Sequence, residues 1–68
     1  MAIKRATYIS VWDGGFEIHS KCKVDTVSKR VFDIEIVDVG DNVDILDYEY
    51  VVIDGEKHSV DSYEGLYF

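Results

Sequence analysis

Proline is absent from the 68 residues, and cysteine, methionine and tryptophan occur once each. A single cysteine excludes an internal disulfide framework and a cysteine-built zinc site, so no staple offsets the small size. No stretch approaches the roughly 18 apolar residues of a membrane helix. The apolar run at residues 6–12, behind Lys4 and Arg5, is too short for a secretory signal, contains Thr7 and Ser10, and is followed by Asp13. No lipidation signal is present, and the expectation is a soluble, cytoplasmic protein. Glycine is confined to turns, so no phosphate-cradling loop opens a helix. Positive charge is scarce: seven Lys and Arg face fourteen Asp and Glu, a net charge of −7 that argues against direct binding of nucleic acid. A chain this short makes one domain, 1–68, with a small core and little room for a deep active-site cavity. The hydrophobic content of 47% and aromatic content of 13% nevertheless place it among globular chains rather than disordered ones.

Period-two alternation dominates what is there. At residues 16–24, Phe16, Ile18, Ser20, Cys22 and Val24 interleave with Glu17, His19, Lys21 and Lys23, which reads as a half-buried strand. Residues 6–12 are rich in β-branched and aromatic side chains and join it through Asp13-Gly14-Gly15, a hairpin signal. A third strand is expected at 31–39, a fourth at about 48–54, and a fifth at 57–60 behind an Asp54-Gly55 turn. Residues 42–47 read as a loop or one helical turn capped by Asn42. A two-residue first turn places Ile9 and Val11 on one face with Phe16 and Ile18. A five-residue second loop then pairs Val24 with Arg30, Cys22 with Phe32, Ser20 with Ile34 and Ile18 with Ile36. The same register sets Lys21 opposite Asp33 and His19 opposite Glu35. The predicted fold is all-β: a small antiparallel meander of four to five strands, curled into a sheet or half-barrel. The aromatic tail, with Tyr63, Tyr67 and Phe68, either covers a sheet edge or offers itself to another chain, and packing is the reading preferred.

The charge is unevenly distributed. Residues 1–32 carry +3 and residues 33–68 carry −10. Once Asp33 and Glu35 are assigned to cross-strand partners, Asp38, Asp41, Asp44, Asp47 and Glu49 recur at intervals of two or three residues with no local cation. Such acids serve either as a solvated rim that keeps a small sheet soluble or as a surface that imitates nucleic-acid phosphate. Carboxylates at i and i+2 on a strand stand roughly 6.6 to 6.8 Å apart, a spacing that can follow a row of lysines and arginines.

Candidate chemistry is thin. His19 and Cys22, three apart on a strand, fall on opposite faces and make no metal pair. The run from Asp38 to Asp44 lacks the glycine and closing glutamate positions of an EF-hand loop. His58 has no hydroxyl or thiol nucleophile placed beside it. Tyr8 and Trp12, expected on one face with His19, Lys21 and Lys23, could stack single-stranded nucleic acid, but a packing role fits the global charge better. No catalytic residue, metal or cofactor is expected.

The strings Val11-Trp12-Asp13-Gly14-Gly15, Phe16-Glu17-Ile18, Cys22-Lys23-Val24-Asp25, Val31-Phe32-Asp33-Ile34-Glu35 and Glu49-Tyr50-Val51, with Asp54-Gly55, resemble short, uncharacterised acidic β-proteins of bacterial phages and mobile elements. The resemblance spans residues 8–60 and rests on turn and strand signals. It implies context: such proteins are often inhibitors of host defence, of anti-CRISPR or anti-restriction type, and several act as nucleic-acid mimics. The expectation is therefore a non-enzymatic, protein-binding inhibitor, a monomer or homodimer with no membrane association. Its partner would be a protein with a basic surface, such as a nuclease or CRISPR effector, met by Asp38, Asp41, Asp44, Asp47 and Glu49. The alternative is a structural module that dimerises through its aromatic tail or an edge strand.

Overall fold

A computed structural model describes residues 2–35, 44–61 and 65–68. The chain is all-β. Five strands, β1 (Ile3–Trp12), β2 (Phe16–Asp25), β3 (Arg30–Phe32), β4 (Leu46–Ile53) and β5 (Glu56–Ser59), form one curled half-barrel sheet. No helix occurs among the described residues, and the helical turn considered for 42–47 is replaced at Leu46 and Asp47 by the start of β4. Every neighbouring pair is antiparallel, and the order is β3-β2-β1-β4-β5. This departs from a sequential meander at one step: β4 does not add beside β3 but crosses to the far side of β1. The first strand is therefore the centre of the sheet, with ten residues paired to β2 and a second ladder to β4.

The turns explain where the expected registers slip. Asp54-Gly55 is the anticipated two-residue turn, with φ of 51° and 83°, and leaves Ile53 opposite Glu56. At the first hairpin, Asp13 and Gly14 also take positive φ, 49° and 78°, and Gly15 N–H donates to the Trp12 carbonyl at 3.0 Å. Gly15 is, however, an extra loop residue, so Trp12 pairs with Phe16 and the loop has three residues rather than two. That single step reverses the expected faces: Ile9 lies opposite His19 and Val11 opposite Glu17, while Tyr8 lies opposite Ser20. Tyr8 and Trp12 are thus on the other face from His19, Lys21 and Lys23, and the stacking platform considered for single-stranded nucleic acid does not form.

The β2–β3 register is also shifted by one residue, to Val24 opposite Val31 and Asp25 opposite Arg30. Asp25 closes this loop itself. Its Oδ1 accepts the amides of Val27 at 2.9 Å and Ser28 at 3.2 Å, an Asx-type turn that makes the last residue of β2 the first residue of the turn. Asp33, at φ 52°, then interrupts the ladder, so β3 ends at Phe32 instead of continuing to residue 39, and contact with β2 resumes one residue out of step where the Glu35 amide donates to the Lys21 carbonyl at 2.8 Å; residues beyond 35 on that span lie outside the described ones. As a result Lys23, not Lys21, meets Asp33, at 3.5 Å, and His19 meets Glu17, at 3.0 Å, rather than Glu35.

The Val27 and Ser28 hydrogen bonds hold the Asp25 carboxyl below its ordinary pKa. A carboxyl whose folded pKa is depressed stabilises the fold above its unfolded pKa, about 3.9, and that stabilisation is lost as pH falls through the lower folded value. The amide resonances of Val27 and Ser28 are expected to titrate with a midpoint below about 3.9 and to stop doing so in Asp25→Asn. A midpoint at or above the free-carboxyl value would contradict the turn.

The sheet buries both faces. On one, Cys22, Val24, Val31, Val51 and Ile53 form the main core, flanked by Ala6, Tyr8, Ile34, Val60, Leu66 and Phe68. On the other, Ile9, Val11 and Tyr50 pack with Val52. The expected core, which joined Ile9 and Val11 to Phe16 and Ile18, is split between these faces. The preference for a packed tail agrees with the geometry. Tyr67 bridges Arg30 on one edge and Asp61 beyond β5 on the other. Leu66 carbonyl accepts Val31 N–H at 2.8 Å, and Phe68 N–H donates to the Lys29 carbonyl at 2.9 Å.

Candidate protein-binding surface

The end of the sheet that carries the first hairpin is built by carboxylates acting on backbone. Asp13 accepts the amides of Asp44, at 3.3 Å, and Ile45, at 3.1 Å, while its own amide donates to the Ile45 carbonyl at 2.9 Å. This clamp delivers the chain into β4. The β1–β4 register then shifts between Val11, opposite Tyr48, and Trp12, opposite Leu46. Asp47 is the extra residue of this bulge. A bulge re-aims a side chain, and here the Asp47 carboxylate accepts the Gly14 amide. Two residues on, Glu49 lies opposite Ser10 and its carboxylate accepts the Tyr8 hydroxyl. Burial first, and then the Glu49 hydrogen bond and charge, push the Tyr8 phenol well above its usual range, so it remains a donor.

These contacts sort the five acids singled out from the sequence. Asp44 is exposed. Asp47 and Glu49 lie in the same region but are bonded into the fold, one to the hairpin turn and the other to Tyr8, and they do not form the evenly spaced row expected of an unbroken strand. Asp38 and Asp41 lie outside the described residues. Of the tail candidates, Tyr63 is likewise outside them. Tyr67 is exposed, whereas Phe68 packs its ring edge-on to His58 at 5.4 Å with the Lys29 ammonium 5.6 Å from its centroid.

Electrostatically this end is one-sided. Residues 11–17 and 44–50 contain five acids, Asp13, Glu17, Asp44, Asp47 and Glu49, and no Lys or Arg. Among them stand exposed apolar side chains: Phe16, Ile45, Leu46 and Tyr48. Tyr48 stacks on Tyr50 with ring centroids 6.0 Å apart and an interplanar angle of 23°. The two alternate on β4 and share a face, a pairing that the period-two pattern of Tyr48-Glu49-Tyr50 signals but that the charge reading passed over. The opposite character is found where Arg5, Lys21 and Lys23 line an open cavity of about 420 Å³ with Asp33 and Glu35.

Cys22 is buried, and burial raises its thiol pKa. His58 Nε2 stands 3.7 Å from Glu56 and its ring rests on Phe68. No group of three or more His, Cys, Asp and Glu able to hold a metal occurs among the described residues, and they contain no helix long and apolar enough to cross a membrane. Comparisons with protein-family models, with curated proteins and with solved structures return no match.

Proposed function

We propose that the chain is a non-enzymatic, protein-binding inhibitor that occupies a basic, nucleic-acid-binding surface of its partner. The observation that carries this is the acid-rich end: five acids in residues 11–17 and 44–50, a single lysine, Lys57, set over Tyr50, and exposed Phe16, Leu46, Ile45 and Tyr48 between them. A partner surface evolved to hold phosphate supplies the complementary charge, and long-range attraction speeds the encounter. The anti-defence context, a nuclease or CRISPR effector as partner, is supported by the resemblance to small acidic phage proteins. Within the acidic set, Asp44, with Asp38 and Asp41, is assigned to direct contact, while Asp47 and Glu49 each commit one oxygen to the shape of the end and add to its field.

The assembly alternative is less well supported by the geometry, because the tail's backbone is hydrogen-bonded into its own sheet at Lys29, Val31 and Asp61. The test is the triple variant Asp38→Lys, Asp41→Lys, Asp44→Lys, assayed against a panel of nucleases and CRISPR effectors at low and high salt. Wild type is expected to bind one of them with an affinity that falls steeply with ionic strength, and the variant to lose about tenfold or more, which is 1.4 kcal/mol or more. A folded variant with unchanged affinity and salt dependence would refute the reading.

A further inference from the structure

The strip formed by β4 and β5 already holds one cation over one aromatic ring. On the face that bears Tyr48 and Tyr50, the register puts Ser59 opposite Tyr50 and Lys57 opposite Val52. Lys57 reaches diagonally over the Tyr50 ring, its ammonium 4.2 Å from the centroid. Tyr50 is only 7% exposed, whereas its stacked neighbour Tyr48 is 54% exposed. One ring of the stacked pair is thus occupied by a cation and the other is open. The register continues past β5, since the Val60 amide donates to the Glu49 carbonyl at 3.2 Å, and this brings Asp61 alongside Tyr48. Asp61, Asp47, Tyr48, Tyr50 and Lys57 line one open cleft of about 410 Å³.

The geometry points to Tyr48 as the receptor for an arginine side chain of the basic protein partner, the guanidinium lying on the open ring beside the Asp47 carboxylate, in a cleft that Asp61 also lines. This rests on the acidic end being the partner-binding surface and adds which side chain is read there. Two features favour a guanidinium over other occupants. Aromatic rings attract cations through their negative faces, and the planar, weakly hydrated guanidinium stacks on a ring while its N–H groups still reach a carboxylate, which an ammonium does less well. The cleft's charge, with Asp47 and Asp61 against Lys57, suits a cation and opposes an anion. Lys57 competes with the ligand by like charge, so its removal should strengthen binding and uncover the second ring.

Hexa-arginine peptide is the probe, titrated against the full chain by NMR, with each variant's fold checked by circular dichroism. Tyr48→Leu keeps the apolar bulk but not the ring, and is expected to weaken binding about two- to fivefold. Tyr48→Trp is expected to match or exceed wild type, and Lys57→Gln to tighten binding by a similar factor. If folded Tyr48→Leu binds as wild type does while the Asp38, Asp41, Asp44 triple reversal loses the peptide, the Tyr48 receptor is overturned and the acidic surface stands. If the triple reversal binds unchanged and Tyr48→Leu is weakened, the receptor stands and the acidic reading fails. Absence of any hexa-arginine binding by wild type overturns the receptor outright.

Discussion

Val51→Asp is expected to leave the chain unfolded at 25 °C. Val51 is 0% exposed in the centre of β4, opposite Tyr8 on one side and His58 on the other. A carboxylate there replaces an apolar side chain that packs with Cys22, Val24, Val31 and Ile53, and finds itself in a region whose polar groups already have partners. An uncompensated buried charge costs about 3 to 5 kcal/mol, and a single core of this size supplies about 3 to 5 kcal/mol in all, so the substitution exhausts the stability. Val27→Asp is the control: at 79% exposure in the β2–β3 loop, it should change stability by no more than about 0.5 kcal/mol. Urea unfolding followed by circular dichroism distinguishes them. A cooperative transition retained in Val51→Asp would show that the core is placed wrongly.

Deletion of residues 65–68 is expected to be nearly as severe. It removes four backbone hydrogen bonds, those joining Val31 to Leu66, Lys29 to Phe68, and Asp61 to Tyr67 in both directions. It also strips Leu66 and Phe68 from the main core. At about 0.5 to 1.5 kcal/mol net per hydrogen bond and about 1 kcal/mol for each half-buried side chain, offset by the entropy released on freeing four residues, the net loss is at most about 4 kcal/mol. Thermal melts should show a drop on the order of 4 to 8 °C per kcal/mol lost for a domain this small. Sedimentation of the truncated chain separates the two roles of the tail. Unpairing β3 should increase self-association through the bared edge, whereas a tail that makes a dimer would leave a well-folded monomer on deletion. An unchanged melting temperature would refute the internal role.

The strands and turns were legible because they are local. Alternation from Phe16 to Val24 and the positive-φ pairs Asp13-Gly14 and Asp54-Gly55 each mark their element without reference to the rest of the chain. Register was not legible, because it depends on what one residue does in each loop. Gly15 adds a position to the first hairpin, Asp25 turns its own carboxylate to the loop, and Asp33 interrupts the ladder ahead of Glu35; each shifts the pairing by one step. Strand order was hidden for a different reason: β4 chooses β1 rather than β3 through pairings some forty residues apart in sequence, which no local signal announces. In the candidate site the acids were visible as charge, but composition does not separate Asp44 from Asp47 and Glu49, each of which commits one carboxylate oxygen to the fold, to Gly14 and Tyr8.

Because β1 sits in the middle of the sheet, the first of these five strands to be synthesised is also the one that waits longest for its second neighbour. With β2 complete at Asp25 and β4 at Ile53, synthesis at about 5 to 20 residues per second leaves one edge of β1 bare for roughly one to six seconds. Through that interval the nascent chain presents Ile9 and Val11 on a strand paired along one edge only, and the length of that exposure is set by how quickly residues 44–53 arrive rather than by the stability of the finished fold.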